Sequence, residues 1–267
     1  MMPAGTLKDR VAIITGGSSG IGLAMARYFG ELGASLVLAA RNAERLGAVA
    51  RDLEAGGVPV LAVPMDVRDP AQVDGLLDKA LERFQRVDIL VNNAAGNFVC
   101  PAEDLSVNGW NAVINIVLNG TFYCTRAVGR HWISQGHPGN ILNIIATYAW
   151  HGGPGTVHSA SAKAGVLAMT RTLAVEWARH GIRVNAIAPG PIDKTGGAEQ
   201  LWPTPEAAQG LKENIPLGRF GEPEEVAHAA AYLVSDYAGF ITGECLVIDG
   251  GAWLGRNRFV ERTPKRS

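Results

Sequence analysis

Residues 11–22, VAIITGGSSGIG, are the stretch that decides the fold. The run begins with apolar, β-branched residues that predict a buried strand, and Gly16, Gly20 and Gly22 predict a tight turn into a helix. Glycine lets a backbone approach a phosphate closely, and the free N–H groups of a helix N-terminus favour an anion. Strand, glycine turn and helix in this order predict a dinucleotide-binding unit, the alternative being a plain tight turn.

Outside this stretch, short apolar runs alternate with longer helical patterns, an order typical of βαβ units. The chain therefore predicts an α/β fold: a Rossmann-like, doubly wound parallel sheet of seven strands with helices on both faces. The predicted strands cover residues 11–16, 35–40, 58–64, 87–93, 139–145, 183–189 and 245–249, and the predicted helices cover residues 21–33, 43–57, 69–85, 106–135, 159–181 and 223–236.

No repeat or low-complexity linker divides the 267 residues, so we expect one domain over residues 1–267, with a polar C-terminal tail that frays. Residues 192–217 contain glycines and prolines, among them Gly196 and Pro203, that interrupt a regular pattern. We expect a mobile flap there, at a strand end where ligands bind in open α/β sheets.

The composition argues against several classes of protein. The net charge is −1 and no long basic run precedes the tail, so no nucleic-acid partner is expected. No run of about 18 apolar residues and no apolar signal core occur, which argues against a membrane or exported protein. The three cysteines are far apart in the sequence, which argues against a disulfide framework and against a zinc site. We expect a cytoplasmic protein without a metal.

The end of the second predicted strand bears on the choice of nicotinamide cofactor. An NAD-dependent enzyme carries an acidic residue there for the ribose hydroxyls. Ala40 cannot accept that bond, whereas Arg41 can pair with a 2′-phosphate, so NADPH is predicted. Alternatively, Arg41 is a solvated loop charge. Asp66, after the third strand, either accepts from the adenine amino group or caps its own turn.

A second informative stretch is ATYAWHGGPGTVHSASAKAG, residues 146–165. Lys163 lies in a helical pattern, Ser159 precedes it by four residues, and Tyr148 precedes it by fifteen. Together with NNAAG (92–96) and PGPI (189–192), these motifs resemble the short-chain dehydrogenase/reductase superfamily over nearly the whole chain. NNAAGNF, IVLNGTF, SASAKAG and APGPI make the chain most similar to the bacterial type of NADPH-dependent 2,4-dienoyl-CoA reductase.

The resemblance implies a set of cofactor contacts. The motif NNAAG is expected either to line the cofactor or to support the turn after the fourth strand. The predicted set is Gly16, Ser18, Ser19, Gly20, Ile21, Gly22, Arg41, Asp66, Val67, Asn93, Ala94, Lys163, Pro189, Gly190 and Ile192.

The chain departs from the usual superfamily pattern at the catalytic positions. Where a carbonyl-reducing member carries Asn, Ser and Tyr, this chain has Val117, Ala146 and Ser159, and of the usual four it keeps Lys163. A site without that Ser and Tyr cannot protonate a ketone oxygen from those places, which disfavours an ordinary alcohol dehydrogenase. The resemblance implies that Tyr148 is the relocated active phenol.

The implied reaction is NADPH-dependent reduction of 2,4-dienoyl-CoA to trans-3-enoyl-CoA in the β-oxidation of unsaturated fatty acids, by hydride transfer to the δ carbon through a dienolate. Tyr148 and Asn97 would donate to the thioester oxygen. Lys163 would bind the nicotinamide ribose and favour an ionised or strongly donating Tyr148, and Ser159 would hold either group. The final proton comes from Tyr148 or from water.

Phe98 and Ser106 match substrate-contact positions of the family, together with Asn97 and Tyr148. The alternatives are packing for Tyr148, a loop cap for Asn97 and a helix N-cap for Ser106.

The resemblance also bears on acyl-CoA binding and on assembly. Gln200 stands where some family members place an arginine for the CoA phosphate, and Lys194 is the candidate substitute. By analogy with the family we expect a homotetramer. Two other functions stay open: a reductase of another enoyl or carbonyl substrate, and a binding protein that senses NADPH.

Overall fold

Seven apolar runs form one parallel sheet in the computed structural model, which describes residues 2–195 and 204–255. The strand order is β3-β2-β1-β4-β5-β6-β7, and every neighbouring pair is parallel. This doubly wound arrangement confirms the predicted fold class. The strands are β1 (Val11–Thr15), β2 (Ser35–Ala40), β3 (Val60–Pro64), β4 (Ile89–Asn92), β5 (Gly139–Ile144), β6 (Ile182–Pro189) and β7 (Cys245–Ile248).

The helices begin where the sequence offers caps. The Asn42 side chain accepts from the Arg45 N–H, the Asp69 side chain accepts from the Ala71 N–H, and Glu225 reaches back to the Glu222 N–H. The helices are α1 (Gly20–Glu31), α2 (Ala43–Ala55), α3 (Pro70–Phe84), α4 (Val107–Ile114), α5 (Gly120–Gln135), α6 (Val157–Trp177), α7 (Pro205–Glu213) and α8 (Pro223–Val234).

Alternate residues of β1 pack on opposite faces of the sheet. Ile14 belongs to the core that includes Phe29 of α1, whereas Ile13 belongs to the core that includes Trp132 of α5. Because side chains alternate along a strand, a sheet covered on both faces needs apolar residues at every position. The layers leave the carboxyl ends of the strands at one edge, the expected place for a ligand.

The predicted helix over 106–135 is interrupted in the structure. A π-helical turn, Asn115–Asn119, separates α4 from α5. Val117, at the position of the usual catalytic Asn, is buried in this turn. A π turn adds one residue per turn and is frequent at functional sites. The sequence pattern did not indicate the interruption, because the residues on both sides keep helical periodicity.

The region predicted as a flap contains a helix that the pattern did not indicate. Pro205 begins α7, where proline at a first helical position is tolerated. Ile192 forms an isolated bridge with Gly221, which ties the start of the region to the segment before α8. Residues 196–203, and Gln200 with them, lie outside the described part of the chain, so the mobility of the flap stays a prediction.

Candidate active site

The glycine turn after β1 has the geometry of a phosphate cradle. Gly16 and Gly20 have φ of 67° and 52°, the left-handed region that favours glycine. A Cβ at Gly22 would lie 2.2 Å from the Gly16 oxygen. The Ser19 side chain makes no capping bond, and the first turn of α1 carries no acidic residue. The first N–H groups of α1 therefore suit a diphosphate.

The residue after β2 and the turn after β3 carry the two side chains predicted from sequence to contact the adenosine part of the cofactor. Arg41 is exposed, as a 2′-phosphate partner must be. Asp66 is held by Arg68, whose Nε lies 2.9 Å from Oδ2 and whose backbone N–H donates to Oδ1 at 3.0 Å. The side-chain bond from Arg68 lowers the pKa of Asp66, and the charge of Arg41 acts in the same direction. The carboxylate is an ionised acceptor, and sequence reasoning missed Arg68 despite its opposite charge two residues away.

Asn93 and Ala94 support the glycine turn. The Asn93 side chain donates to the Thr15 carbonyl at 3.0 Å, and the backbone N–H groups of Asn93 and Ala94 both donate to the Thr15 hydroxyl at 3.0 Å. A Cβ at Gly16 would lie 2.8 Å from the Asn93 side-chain nitrogen. The supporting role is therefore present in the structure, and direct cofactor contact stays a prediction.

Tyr148, Ser159 and Asn97 come together at the carboxyl edge of β4 and β5. Tyr148 lies in a short helical turn after β5, Thr147–Ala149, and Ser159 lies in the first turn of α6. The Tyr148 hydroxyl is 3.0 Å from the Ser159 hydroxyl and 3.5 Å from the Asn97 side-chain nitrogen. The three predicted site residues are thus brought together, and a catalytic role for Tyr148 stays a prediction. Ser159 and Lys163 are four residues apart on one face of α6.

Burial sets the protonation of Lys163 and Tyr148. The Lys163 ammonium is buried and donates to the Ile144 carbonyl at 2.5 Å, and burial lowers its pKa to about 8. Burial raises the pKa of Tyr148, opposed in part by the bond with Ser159. Of the two forms considered from sequence, ionised or strongly donating, burial favours the protonated, donating phenol.

Asn97 is oriented by its own loop. Its side-chain oxygen accepts from the Phe98 N–H at 2.9 Å, which turns the amide nitrogen toward Tyr148. The Phe98 ring meets the His158 ring edge-on, with 4.4 Å between centroids. His158 is fully buried, and among the described residues neither ring nitrogen has a hydrogen-bond partner. Burial lowers the pKa of this imidazole, which no sequence motif had singled out.

Ser106 lies in the loop region of the site as an N-cap. Its hydroxyl accepts from the Gly109 N–H at 3.0 Å and so begins α4. Ser106 is thus a helix N-cap, the alternative role considered from sequence, and its contact with the substrate stays a prediction.

The segment after β6 passes beside the glycine turn. A Cβ at Gly190 would lie 2.4 Å from the Asp249 Cβ, so glycine is needed where β6 meets β7. A Cβ at Gly20 would touch the Thr195 side chain at 3.4 Å. Lys194 has φ of 54° and its ammonium lies 3.0 Å from the Glu222 carboxylate. The lysine considered for a CoA phosphate therefore already has an acidic partner.

Two further observations concern the described residues as a whole. No group of three or more His, Cys, Asp or Glu side chains in residues 2–195 and 204–255 is arranged to hold a metal ion. In the same part of the chain, the helices are too short or too polar to span a bilayer.

The chain is similar in sequence to known proteins. The family model described as enoyl-(acyl carrier protein) reductase matches residues 16–252. The chain is 53% identical over 249 residues to a protein of Bacillus subtilis named "Probable 2,4-dienoyl-CoA reductase [(2E)-enoyl-CoA-producing]", covering 93% of this chain and 98% of that protein. It is 45% identical to a Danio rerio protein named "Peroxisomal 2,4-dienoyl-CoA reductase [(3E)-enoyl-CoA-producing]", covering 96% of this chain and 85% of that protein.

A solved structure shares both the fold and much of the sequence. The crystal structure of a short chain dehydrogenase from Bacillus anthracis superposes with a TM-score of 0.87 at 54% sequence identity. The match covers 94% of this chain and 99% of that one.

Proposed function

This chain belongs to the short-chain dehydrogenase/reductase family, and we propose that it reduces 2,4-dienoyl-CoA thioesters with NADPH. Membership makes it an oxidoreductase with a nicotinamide cofactor. The observation that carries the proposed substrate is the meeting of Tyr148 with Ser159 and Asn97. Tyr148 and Asn97 supply a phenol and an amide in a chain that has Ser159 and Val117 at the family's usual Tyr and Asn positions, which supports the proposal.

The protein's main task in this reaction is to stabilise negative charge on the thioester oxygen. The Tyr148 hydroxyl and the Asn97 amide nitrogen are 3.5 Å apart, close enough for both to donate to one oxygen atom. Such preorganised donors act most strongly on charge that develops during the reaction. Ser159 holds the phenol in place from the other side.

The δ carbon of the diene would receive a hydride from the nicotinamide when the cofactor is bound. Lys163 holds the ribose hydroxyls with an ammonium that burial has partly desolvated. Addition at the δ carbon would move an electron pair through the diene to the thioester oxygen, and Tyr148 and Asn97 would donate hydrogen bonds to the negative charge on that oxygen. One proton then completes the reduction, from Tyr148 or from water.

The site of protonation decides the product. Protonation of the α carbon leaves the double bond between carbons 3 and 4, whereas protonation of the γ carbon leaves it between carbons 2 and 3. The two relatives differ in this respect by name, one as (2E)- and one as (3E)-enoyl-CoA-producing. A phenol bonded to the thioester oxygen is nearer to the α carbon than to the γ carbon, which supports the trans-3-enoyl product for this chain.

NADPH rather than NADH is supported by the end of β2. Ala40 offers no carboxylate to the ribose, and the exposed guanidinium of Arg41 matches a 2′-phosphate. The proposed reaction belongs to the β-oxidation of unsaturated fatty acids, and the proposed location of the enzyme is the cytoplasm.

The proposed assembly is a homotetramer, and light scattering that gives the mass of one chain would contradict it.

The test is a panel of substrates with each reduced nicotinamide. Purified protein is mixed with 2,4-hexadienoyl-, trans-2-hexenoyl- or 3-oxohexanoyl-CoA, and cofactor oxidation is followed by absorbance. We expect turnover with the dienoyl thioester and NADPH, and NMR of the product in deuterated water locates the double bond and the added proton.

Two outcomes favour the other functions. Oxidation of cofactor with the 3-oxo thioester alone would indicate a carbonyl reductase. Tight NADPH binding without turnover of any thioester would indicate a binding protein that senses the cofactor.

A further inference from the structure

A group of exposed apolar side chains borders the candidate active site on the β7 side. Trp150, Trp253, Leu217 and Leu254 retain 38%, 42%, 68% and 73% of their accessible surface. The two tryptophan rings meet edge-on, 5.7 Å between centroids. Trp150 follows Tyr148 by two residues and caps the same short helical turn, Thr147–Ala149. We call these four residues the β7-side rim.

The rim is held in place by the turn that follows β7. The Asp249 carboxylate accepts from the Gly251 N–H and from the Trp253 N–H, each at 2.8 Å. Gly250 lies against Leu217, and the Leu217 N–H donates to the Gly250 carbonyl at 3.2 Å. The backbone at Leu217 and Trp253 is thus held by bonds within the chain, and a preorganised surface loses little entropy on binding.

An exposed cluster of this kind differs from scattered surface apolar residues. Single exposed apolar side chains are normal on proteins, whereas contiguous ones mark binding surfaces. The four rim side chains are apolar, so they suit a hydrocarbon better than a phosphate or a peptide amide. The tryptophan rings offer large flat faces with little conformational entropy to lose.

The order of the strands gives the direction of a bound substrate. Asn97 follows β4, Tyr148 follows β5 and Trp253 follows β7. Strands lie about 4.8 Å apart, so the turn after β7 is about 10 Å from the end of β5 across the sheet. A thioester oxygen held by Tyr148 and Asn97 lies on the β4–β5 side, so an acyl chain that reaches Trp253 must extend from that oxygen toward β7.

We propose that the β7-side rim binds the hydrocarbon chain beyond the diene, and that Trp150 and Trp253 determine the preferred acyl chain length. This inference rests on the proposed function, because it takes the thioester oxygen to be held by Tyr148 and Asn97. A six-carbon dienoyl group ends one carbon beyond the δ position and does not reach the rim. A ten-carbon group does, and each methylene group buried there raises kcat/KM about threefold to fourfold.

The experiment compares two chain lengths in the full-length protein. kcat/KM is measured with 2,4-hexadienoyl- and 2,4-decadienoyl-CoA for the unaltered chain and for Trp253→Ala, Trp150→Ala and Trp253→Phe. We expect the unaltered chain to prefer the longer substrate by at least about tenfold, given several buried methylene groups. Either alanine variant loses most of that preference, because its kcat/KM falls much further with the longer substrate than with the shorter one. Trp253→Phe keeps most of the preference, because a flat ring remains.

Phe240→Ala is the matched control. Phe240 is fully exposed and lies before β7, at the opposite edge of the sheet. Its removal should leave the ratio between the two substrates unchanged. A preference that is unaltered in both tryptophan variants, or an equal loss with both substrates, would overturn the assignment of the rim to the acyl chain.

A binding measurement separates this inference from the proposed reaction. Calorimetric titration with hexanoyl- and decanoyl-CoA, which carry no diene, reports chain-length preference without turnover. Tighter binding of decanoyl-CoA that disappears in Trp253→Ala supports the rim even if dienoyl reduction is never observed. Dienoyl turnover with equal affinity for both saturated thioesters leaves the proposed function standing and overturns the rim.

Discussion

Two buried charged groups lie at opposite edges of the same sheet and differ in how they are paired. Asp88, before β4, is 0% exposed, accepts from the Val11 N–H at 2.8 Å and is bonded by the Arg86 guanidinium at 3.0 Å. Lys163, at the carboxyl edge, is 6% exposed. Within residues 2–195 and 204–255, its ammonium has one hydrogen-bond partner, the Ile144 carbonyl.

The difference in hydrogen-bond partners distinguishes a buried group that stabilises the fold from one that can bind a ligand. The Asp88 carboxylate accepts hydrogen bonds from groups of this chain, so these bonds stabilise the folded state. An ammonium has three donors, and the Lys163 ammonium shares its edge of the sheet with Tyr148 and with His158, whose ring nitrogens have no hydrogen-bond partner among the described residues. The unused donor capacity of the Lys163 ammonium is therefore available to a ligand at the carboxyl edge.

The largest expected effect is a loss of activity on substitution of Tyr148, at the carboxyl edge of the sheet. Tyr148→Phe removes a donor to the developing oxyanion and should lower kcat by about a hundredfold to a thousandfold while the protein stays folded. Steady-state kinetics with 2,4-hexadienoyl-CoA and circular dichroism measure the two quantities. Tyr28→Phe is the matched control, since Tyr28 is a buried tyrosine of α1 that packs against His228. Full activity in Tyr148→Phe would remove the phenol from the mechanism.

The opposite edge should respond in stability instead of rate. Asp88→Ala leaves the Val11 N–H without its partner and should lower the free energy of unfolding by about 3 kcal/mol. Urea titration at fixed protein concentration measures this, and kcat per folded molecule should not change. Asp88→Asn keeps an acceptor for the same N–H and should lose less. A rate defect in Asp88→Ala that exceeds the fraction unfolded would break the contrast between the two edges.

The pH dependence should separate activity from stability at Lys163. Its pKa is lowered from 10.5 to about 8 by burial, so kcat/KM of the free enzyme should fall above pH 8, by about tenfold per unit. The contribution of Lys163 to the free energy of unfolding changes with pH in the opposite direction. Between about pH 8 and 10.5 the unfolded chain binds the proton that the folded chain has released, so this group makes the free energy of unfolding rise with pH.

Lys163→Met is the comparison for both measurements. Its residual activity should lack the limb above pH 8, and its stability should lack the rise attributed to the lysine. A wild-type kcat/KM that stays constant from pH 7 to 10 would contradict the need for the protonated ammonium.

The smallest effect is expected at Ser159. Its hydroxyl lies 3.0 Å from the Tyr148 hydroxyl, and Ser159→Ala removes one neutral hydrogen bond, worth about 1 kcal/mol. We expect kcat to fall about fivefold with little change in KM. The exposed Ser134→Ala is the control. An effect as large as that of Tyr148→Phe would assign Ser159 a direct role in the chemistry.

Much of this site follows from spacing along the chain. Gly16, Gly20 and Gly22 predict the cradle because only glycine tolerates the turn and the close approach. Ser159 and Lys163 share a face because four residues make about one helical turn. The π-helical turn at Asn115–Asn119 and helix α7 were not predictable in this way, since neither changes the local pattern of apolar residues.

The amino-acid sequence by itself determined the alternation of strands and helices and the glycine turn, because periodicity and backbone freedom are local properties. It also singled out Tyr148, though only through a resemblance. Tertiary structure alone decided that Tyr148 meets Asn97 and Ser159, that Ser106 serves as an N-cap, and that Trp150 meets Trp253. The physical reason is that burial and contact across β4, β5 and β7 depend on how distant segments pack, and packing sets both the pKa of Lys163 and the reach of each side chain.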